Sequence, residues 1–194
     1  MINNEQLPVL ILAHSRAEKF NNCLKRIYDF GIRNIYLSID GPRNNRDLYQ
    51  QKIIIQNFNK FQKKCDLKLN KLEKNYGCRD GIIFALDWFF KNEKYGVILE
   101  EDLFLSNNCL LSFAKLLCEY KNDKNVMSLS SYNEFVTRND RGIFFSPVYR
   151  GWGWATWRDK WQLHKSFITK TRKLSMYKLL KYLPDNMRNA RNVH

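Results

Sequence analysis

The sequence predicts an α/β fold, a mixed and mostly parallel sheet flanked by helices. Three observations carry that expectation. Short apolar runs recur at residues 9–13, 34–39 and 97–99. They are too short for helices and too evenly apolar for strands with one wet face. Between them lie segments whose apolar residues repeat at helical spacing. The runs end in polar clusters: His14-Ser15-Arg16, Asp40-Gly41-Pro42 and Glu100-Glu101-Asp102. In open α/β sheets, ligands lie beyond the carboxyl ends of the strands, where such clusters would gather.

The elements follow in order. Residues 9–13 read as a strand covered on both faces. Ser15 is placed to cap the next helix, with Glu18 at capping-box spacing. Cys23, Leu24, Ile27 and Tyr28 form that helix's apolar stripe, and Gly31 ends it. Residues 34–39 form the second strand, closed by the Asp-Gly-Pro turn. Residues 48–61 read as a helix with Ile54, Ile55, Phe58 and Phe61 inward, and residues 65–72 alternate as a third strand. Residues 81–91 form a helix with Phe84, Trp88 and Phe89 on a broad aromatic face. The strand leading into the acid cluster follows, then a helix over 109–120 and a short strand over 126–130.

Length and composition bound the function. A chain of 194 residues, 44% of them hydrophobic, is enough for one ordinary domain with a core and argues against disorder. No apolar run approaches the ~20 residues of a membrane span. The first residues lack the basic start and apolar stretch of a signal peptide. The expected location is therefore the cytoplasm or the inner face of the cell membrane. Five cysteines without a C-x-x-C pair argue against a disulfide framework or a zinc site, and most are expected to be buried small hydrophobes. The 33 Lys and Arg against 19 Asp and Glu give a net charge of +14, which draws polyanions: nucleic acid, anionic lipid or nucleotide diphosphates. Solvated basic faces account for the excess equally well.

The acid cluster is the sharpest chemical signal. Three adjacent carboxylates at the end of a buried strand repel each other and are costly to desolvate. They fit either a solvated loop or a waiting cation. Carboxylate oxygens suit Mg²⁺ or Mn²⁺ shared with substrate phosphates. No G-x-G-x-x-G and no G-x-x-x-x-G-K-[ST] occurs, which excludes a dinucleotide fingerprint and a P-loop. Four of the five tryptophans fall between Trp152 and Trp161. Trp154, Trp157 and Trp161 have the spacing of one helix face. Trp152, between Gly151 and Gly153, is the one expected to be exposed, where an aromatic face can stack on a sugar ring.

Five motifs then carry a resemblance to GT-A nucleotide-sugar glycosyltransferases, and more narrowly to bacterial relatives of the N-acetylglucosaminyltransferase I family. They are Pro8-Val-Leu-Ile-Leu-Ala-His-Ser-Arg16, Leu37-Ser-Ile-Asp-Gly41, Asn75-Tyr-Gly-Cys-Arg79, Ile98-Leu-Glu-Glu-Asp102 and Gly151-Trp-Gly-Trp-Ala-Thr-Trp157. The resemblance spans about residues 7–165. It implies a Rossmann-like GT-A domain over residues 1–165 and a basic, partly helical segment over 166–194, read as a truncated acceptor region. It implies that Arg16 and Asp40 hold the nucleotide base, with Glu100 and Glu101 at the donor and Asp102 on Mn²⁺ or Mg²⁺. Glu101 stands where the family has Asp. Arg79 adds positive potential at the diphosphate, and Trp152 and Gly153 are expected at the acceptor. The implied reaction is a metal-dependent, inverting transfer from a nucleotide-sugar, a UDP-sugar first of all. The acceptor would be a glycan or lipid-linked, as in bacterial surface polysaccharide biosynthesis, with no nucleic acid partner.

An inverting transfer needs a general base on the acceptor side. Asp159, Asp185 and Glu134 are the candidates, and none matches the family's base motif. Two other readings stay open: a non-catalytic or truncated nucleotide-sugar-binding module, and a sugar nucleotidyltransferase. The latter would normally carry a Gly-rich basic loop where His14-Ser15-Arg16 stands. Residues 165–191 mix leucines with Lys and Arg, and roughly 175–183 can form a basic amphipathic helix. That helix would either pack on the protein or dock peripherally on anionic membrane.

Overall fold

The computed structural model describes residues 2–132 and 143–172. A six-stranded sheet runs β3-β2-β1-β4-β6-β5. Its strands are β1 (Val9–Ala13), β2 (Asn34–Ile39), β3 (Asp66–Lys71), β4 (Tyr95–Glu100), β5 (Leu129–Ser130) and β6 (Trp154–Trp157). The first four in spatial order are parallel, while β6 runs antiparallel to β4 and β5 antiparallel to β6. The helices are α1 (Ala17–Asp29), α2 (Asn45–Asn59), α3 (Gly77–Asn92), α4 (Asn107–Glu119) and α5 (Arg158–Thr171).

The strands sort their side chains by period two into two cores. Val9, Ile11 and Ala13 face a cluster with Phe20 and Leu24 of α1, Ile54 and Phe58 of α2, and Phe113 and Leu117 of α4. Leu10, Tyr36 and Ile98 face Ala85, Leu86, Phe89 and Phe90 of α3 and Trp161 of α5. The layers are therefore helix, sheet, helix, as the apolar runs of β1, β2 and β4 predict. The edge strand β3 is mostly half-exposed, consistent with its alternating sequence. Gly31 takes φ +99° and stops α1 as expected.

Four expectations are corrected. The Trp-rich stretch is not one helix face: Trp154 to Trp157 is strand β6, and helix starts only at Arg158. Gly153 at φ +66° sets the chain into that strand, whose backbone groups complete the edge of β4. Its side chains alternate: Ala155 and Trp157 enter one core, and Trp154 leans on the other. Secondly, Ser15 does not cap α1; the N-cap residue is Arg16, without a side-chain cap. Thirdly, α3 starts at Gly77 rather than 81. Lastly, only Cys23 is buried, where burial pushes its thiol up to about 12; Cys78 is exposed and the other three are half-buried.

The division expected between residues 165 and 166 falls inside α5. That helix continues to Thr171 and is tied to α3 by Lys165–Asp87 at 2.6 Å and Arg172–Asp80 at 3.0 Å. No helix among the described residues is long and apolar enough to cross a membrane. The amphipathic stretch at 175–183, Glu134 and Asp185 all lie outside the described residues.

Candidate functional site at the carboxyl ends of the strands

The chain leaves β1 to one side for β2 and β3, then returns to the other side for β4. This order creates a topological switch point between β1 and β4. A cleft of about 310 Å³ opens there, and it gathers His14, Arg16, Asp40, Arg43, Glu100, Glu101 and Asp102. A larger hollow of about 400 Å³, lined by Asn22, Arg26, Phe104 and Asn107, lies against α1. Its only acid is Asp29, and it has no strand end in its wall, so the chemistry converges on the smaller cleft.

Backbone bonds stitch the strand ends together. Asp40 N–H donates to Ala13 at 3.2 Å, and Glu101 N–H donates to Leu12 at 2.9 Å. The Glu101 carboxylate is buried and turned back onto the turn after β1. It accepts from the backbone N–H groups of His14 (3.1 Å), Ser15 (3.4 Å) and Arg16 (3.3 Å). The expected donor-binding role of Glu101 therefore meets a carboxylate already committed to shaping the loop. The same is true of Asp40, whose two oxygens accept from the N–H of Gly41, Tyr76 and Gly77 and from Asn75 Nδ2, at 2.9–3.1 Å. Asp40 thus caps α3 from another strand, which is why the helix can begin at Gly77. A Cβ on Gly81 would lie 3.1 Å from Asp40 Cγ, so a glycine there lets the carboxylate close on the helix.

Glu100 and Asp102, by contrast, are exposed and line the cleft. Asp102 pairs with the Arg16 guanidinium, and Lys19 Nζ lies 3.9 Å away. The Glu100 carboxylate accepts no hydrogen bond from any described residue. Partial burial first, then the charge of Asp102 and more weakly that of Glu101, raises its pKa; Arg16 opposes the rise. Tyr149 lies close enough to Glu100 to feel its charge. Its phenol is also pushed up, by burial and then by the Glu100 charge.

Two further expectations move. Arg79 is exposed on the first turn of α3 and does not line the cleft; Arg43 does, and the sequence reading passed over it. Its position directly after the Asp-Gly-Pro turn at a strand end was the available signal. Asp159 sits on the first turn of α5, after the end of β6. Since Trp157 pairs with Tyr95, that end lies where β4 begins, at the opposite end of the strand from the acid cluster. Asp159 therefore lies away from the cleft that Asp102 lines. Trp152 and Gly153 precede β6 and therefore arrive beside the carboxyl end of β4, next to the cleft rather than in its wall. Trp152 is 53% exposed, with its ring edge-on to Tyr132 at 4.8 Å.

At the β2 side, Arg43 Nε donates to Asp47 at 2.9 Å, and His14 Nε2 lies 3.6 Å from the same carboxylate. The Arg43 hydrogen bond outweighs burial and holds the Asp47 carboxyl down at about 2. A depressed carboxylate stabilises the fold above its unfolded pKa and loses that contribution as pH falls through the folded value. Thermal unfolding of Asp47→Asn should therefore show a deficit against the parent at neutral pH that shrinks as pH drops from the ordinary carboxylate range towards 2. A deficit independent of pH would assign the loss to packing instead.

The residues present fit a divalent ion of one kind only. Among the described residues no three His, Cys, Asp or Glu side chains are grouped to hold a metal by themselves. Glu100 and Asp102 offer one or two hard oxygen ligands facing a cleft, suited to an ion that shares its shell with phosphates.

No family model matches the chain, and no curated protein sequence matches it. Solved structures do. A mannosyltransferase from Pyrobaculum calidifontis, determined with GDP-Man and Mn²⁺, aligns with TM-score 0.53 at 13% identity over 82% of this chain. The chain spans about half of that protein, 47% of its length. A 4-diphosphocytidyl-2C-methyl-D-erythritol synthase from Anaerococcus prevotii aligns with TM-score 0.52 at 12% identity, over 87% of this chain and 77% of the synthase. At such identities the likeness is one of fold, and the fold is GT-A-like.

Proposed function

We propose that the cleft binds a nucleotide-sugar through its diphosphate, held by a divalent ion on Asp102, and that the chain is the donor-binding part of a glycosyltransferase. The observation that supports this most is the division of labour among the acids. The two carboxylates with structural duties, Glu101 and Asp40, fill the N–H groups before α1 and α3 that could otherwise seat phosphate. The two acids left facing the cleft, Glu100 and Asp102, would repel a diphosphate unless a cation stood between. The mannosyltransferase with the same fold was determined with a nucleotide-sugar and Mn²⁺, which agrees with this reading.

When bound, the ion would neutralise the charge that builds on the leaving diphosphate. The chain's own residues supply the rest. Glu101 and Asp40 set the two loops that frame the nucleotide, and Arg16 and Arg43 bring positive charge to the walls. Trp152 offers an aromatic face for an acceptor sugar beside Glu100. An inverting transfer to a glycan or lipid-linked acceptor, as in polysaccharide biosynthesis, and kinship with the N-acetylglucosaminyltransferase I relatives belong to the same proposal.

The likeness to the synthase supports a second reading, nucleotidyl transfer. Calorimetry with UDP-, GDP- and CMP-sugars and with CTP and UTP, each with and without Mn²⁺, separates the two. The proposal expects a diphosphate sugar to bind far more tightly with Mn²⁺ than without it. Tight binding of a triphosphate alone would favour the synthase chemistry, and diphosphate-sugar binding indifferent to Mn²⁺ would contradict the metal role.

A further inference from the structure

Asp102, the proposed ion ligand, already has a cationic partner supplied by the chain itself. Arg16 reaches it from the N-cap of α1, and Lys19 stands one turn further on, 3.9 Å away. The Arg16 backbone is pinned by Glu101, yet its side chain is 57% exposed and free to re-aim. From these facts, and resting on the donor-site reading above, we infer that Arg16 is an exchangeable counter-ion. A divalent ion displaces its guanidinium from Asp102, and the released fork turns to the diphosphate that the ion brings.

The physical case is one of competition and reuse. A carboxylate cannot give its full charge to a metal while it neutralises a guanidinium, so the pair must loosen as the ion binds. Once Asp102 is occupied, Arg16 is left beside a metal-bound diphosphate, whose planar oxygen pairs match its fork better than an ammonium would. Arg16 therefore opposes the ion on its own and favours ion and nucleotide together. It makes their binding cooperative and keeps the free ion off the cleft.

The signature is a pair of changes of opposite sign. Mn²⁺ binding to the nucleotide-free protein is followed by water-proton relaxation, and UDP binding at saturating Mn²⁺ by calorimetry. Arg16→Gln should bind Mn²⁺ alone about twofold to fivefold more tightly than the parent, the range of a partly exposed ion pair. The same variant should bind UDP with Mn²⁺ about tenfold more weakly. Arg16→Lys should recover part of both effects, and Lys19→Gln should strengthen Mn²⁺ binding in the same direction by less. Unchanged, weaker or undetectable Mn²⁺ binding in Arg16→Gln overturns the exchange, as does unchanged UDP affinity. Asp102→Asn separates this failure from that of the donor reading. If it keeps full Mn²⁺-dependent UDP binding, the metal assignment itself falls. If it loses that binding while Arg16→Gln shows no opposite-sign pair, only the exchange falls.

Discussion

Replacing Glu101 with alanine should destabilise the protein by about 2–4 kcal/mol, the largest loss expected from any single cleft residue. The side chain is 6% exposed and holds three consecutive backbone N–H groups, of His14, Ser15 and Arg16. None of these bonds is short, so each is modest, but removing the acceptor strands three donors at once in a turn that has no other partner for its His14 and Arg16 N–H groups among the described residues. For a chain of this size each kcal/mol lowers Tm by about 2–4 °C, so thermal unfolding should show a fall of several degrees and urea unfolding a lower midpoint concentration. Glu101→Gln should fall between, because one amide oxygen still accepts while the NH₂ faces N–H donors. Nucleotide binding should weaken in both variants, since the backbone that carries Arg16 is no longer fixed. A loss below about 0.5 kcal/mol for the alanine variant, the ordinary range of surface substitutions, would show that the turn holds itself.

The position of Glu101 also marks what the sequence could and could not reveal. The acid cluster announced itself, because three carboxylates after a buried strand have few explanations. Their division into one structural and two cleft-facing acids did not, since the partners of Glu101 lie 85 to 87 residues earlier. The same distance effect hid the start of α3: its cap, Asp40, comes from the turn after β2, so the local sequence around Gly77 carries no capping signal. The strands β1, β2 and β4 were legible because a strand buried on both faces leaves an unbroken apolar run. The four residues of β6 were not, since Trp154 and Trp157 fit a helix stripe as well as a strand, and only pairing with β4 decides. That antiparallel pairing also carried Asp159 away from the cleft. Strand direction is a tertiary fact with no local trace, so the place of Asp159 could not be read from the sequence.

The most direct measurement is calorimetric titration of UDP, with GDP alongside, into the parent and into Asp102→Asn, each with and without Mn²⁺. The cleft reading makes Asp102, the acid that already holds the cations Arg16 and Lys19, the protein's ligand for the ion. The asparagine keeps the shape and one oxygen but loses the charge, and it frees Arg16 and Lys19 from their pair. In the parent, Mn²⁺ should tighten diphosphate binding by about 100-fold, close to 3 kcal/mol. In Asp102→Asn that gain should vanish. Affinity without Mn²⁺ should hold or rise slightly, because two cations then face the phosphates unopposed. Mn²⁺-dependent affinity that is the same in both proteins would contradict the central claim.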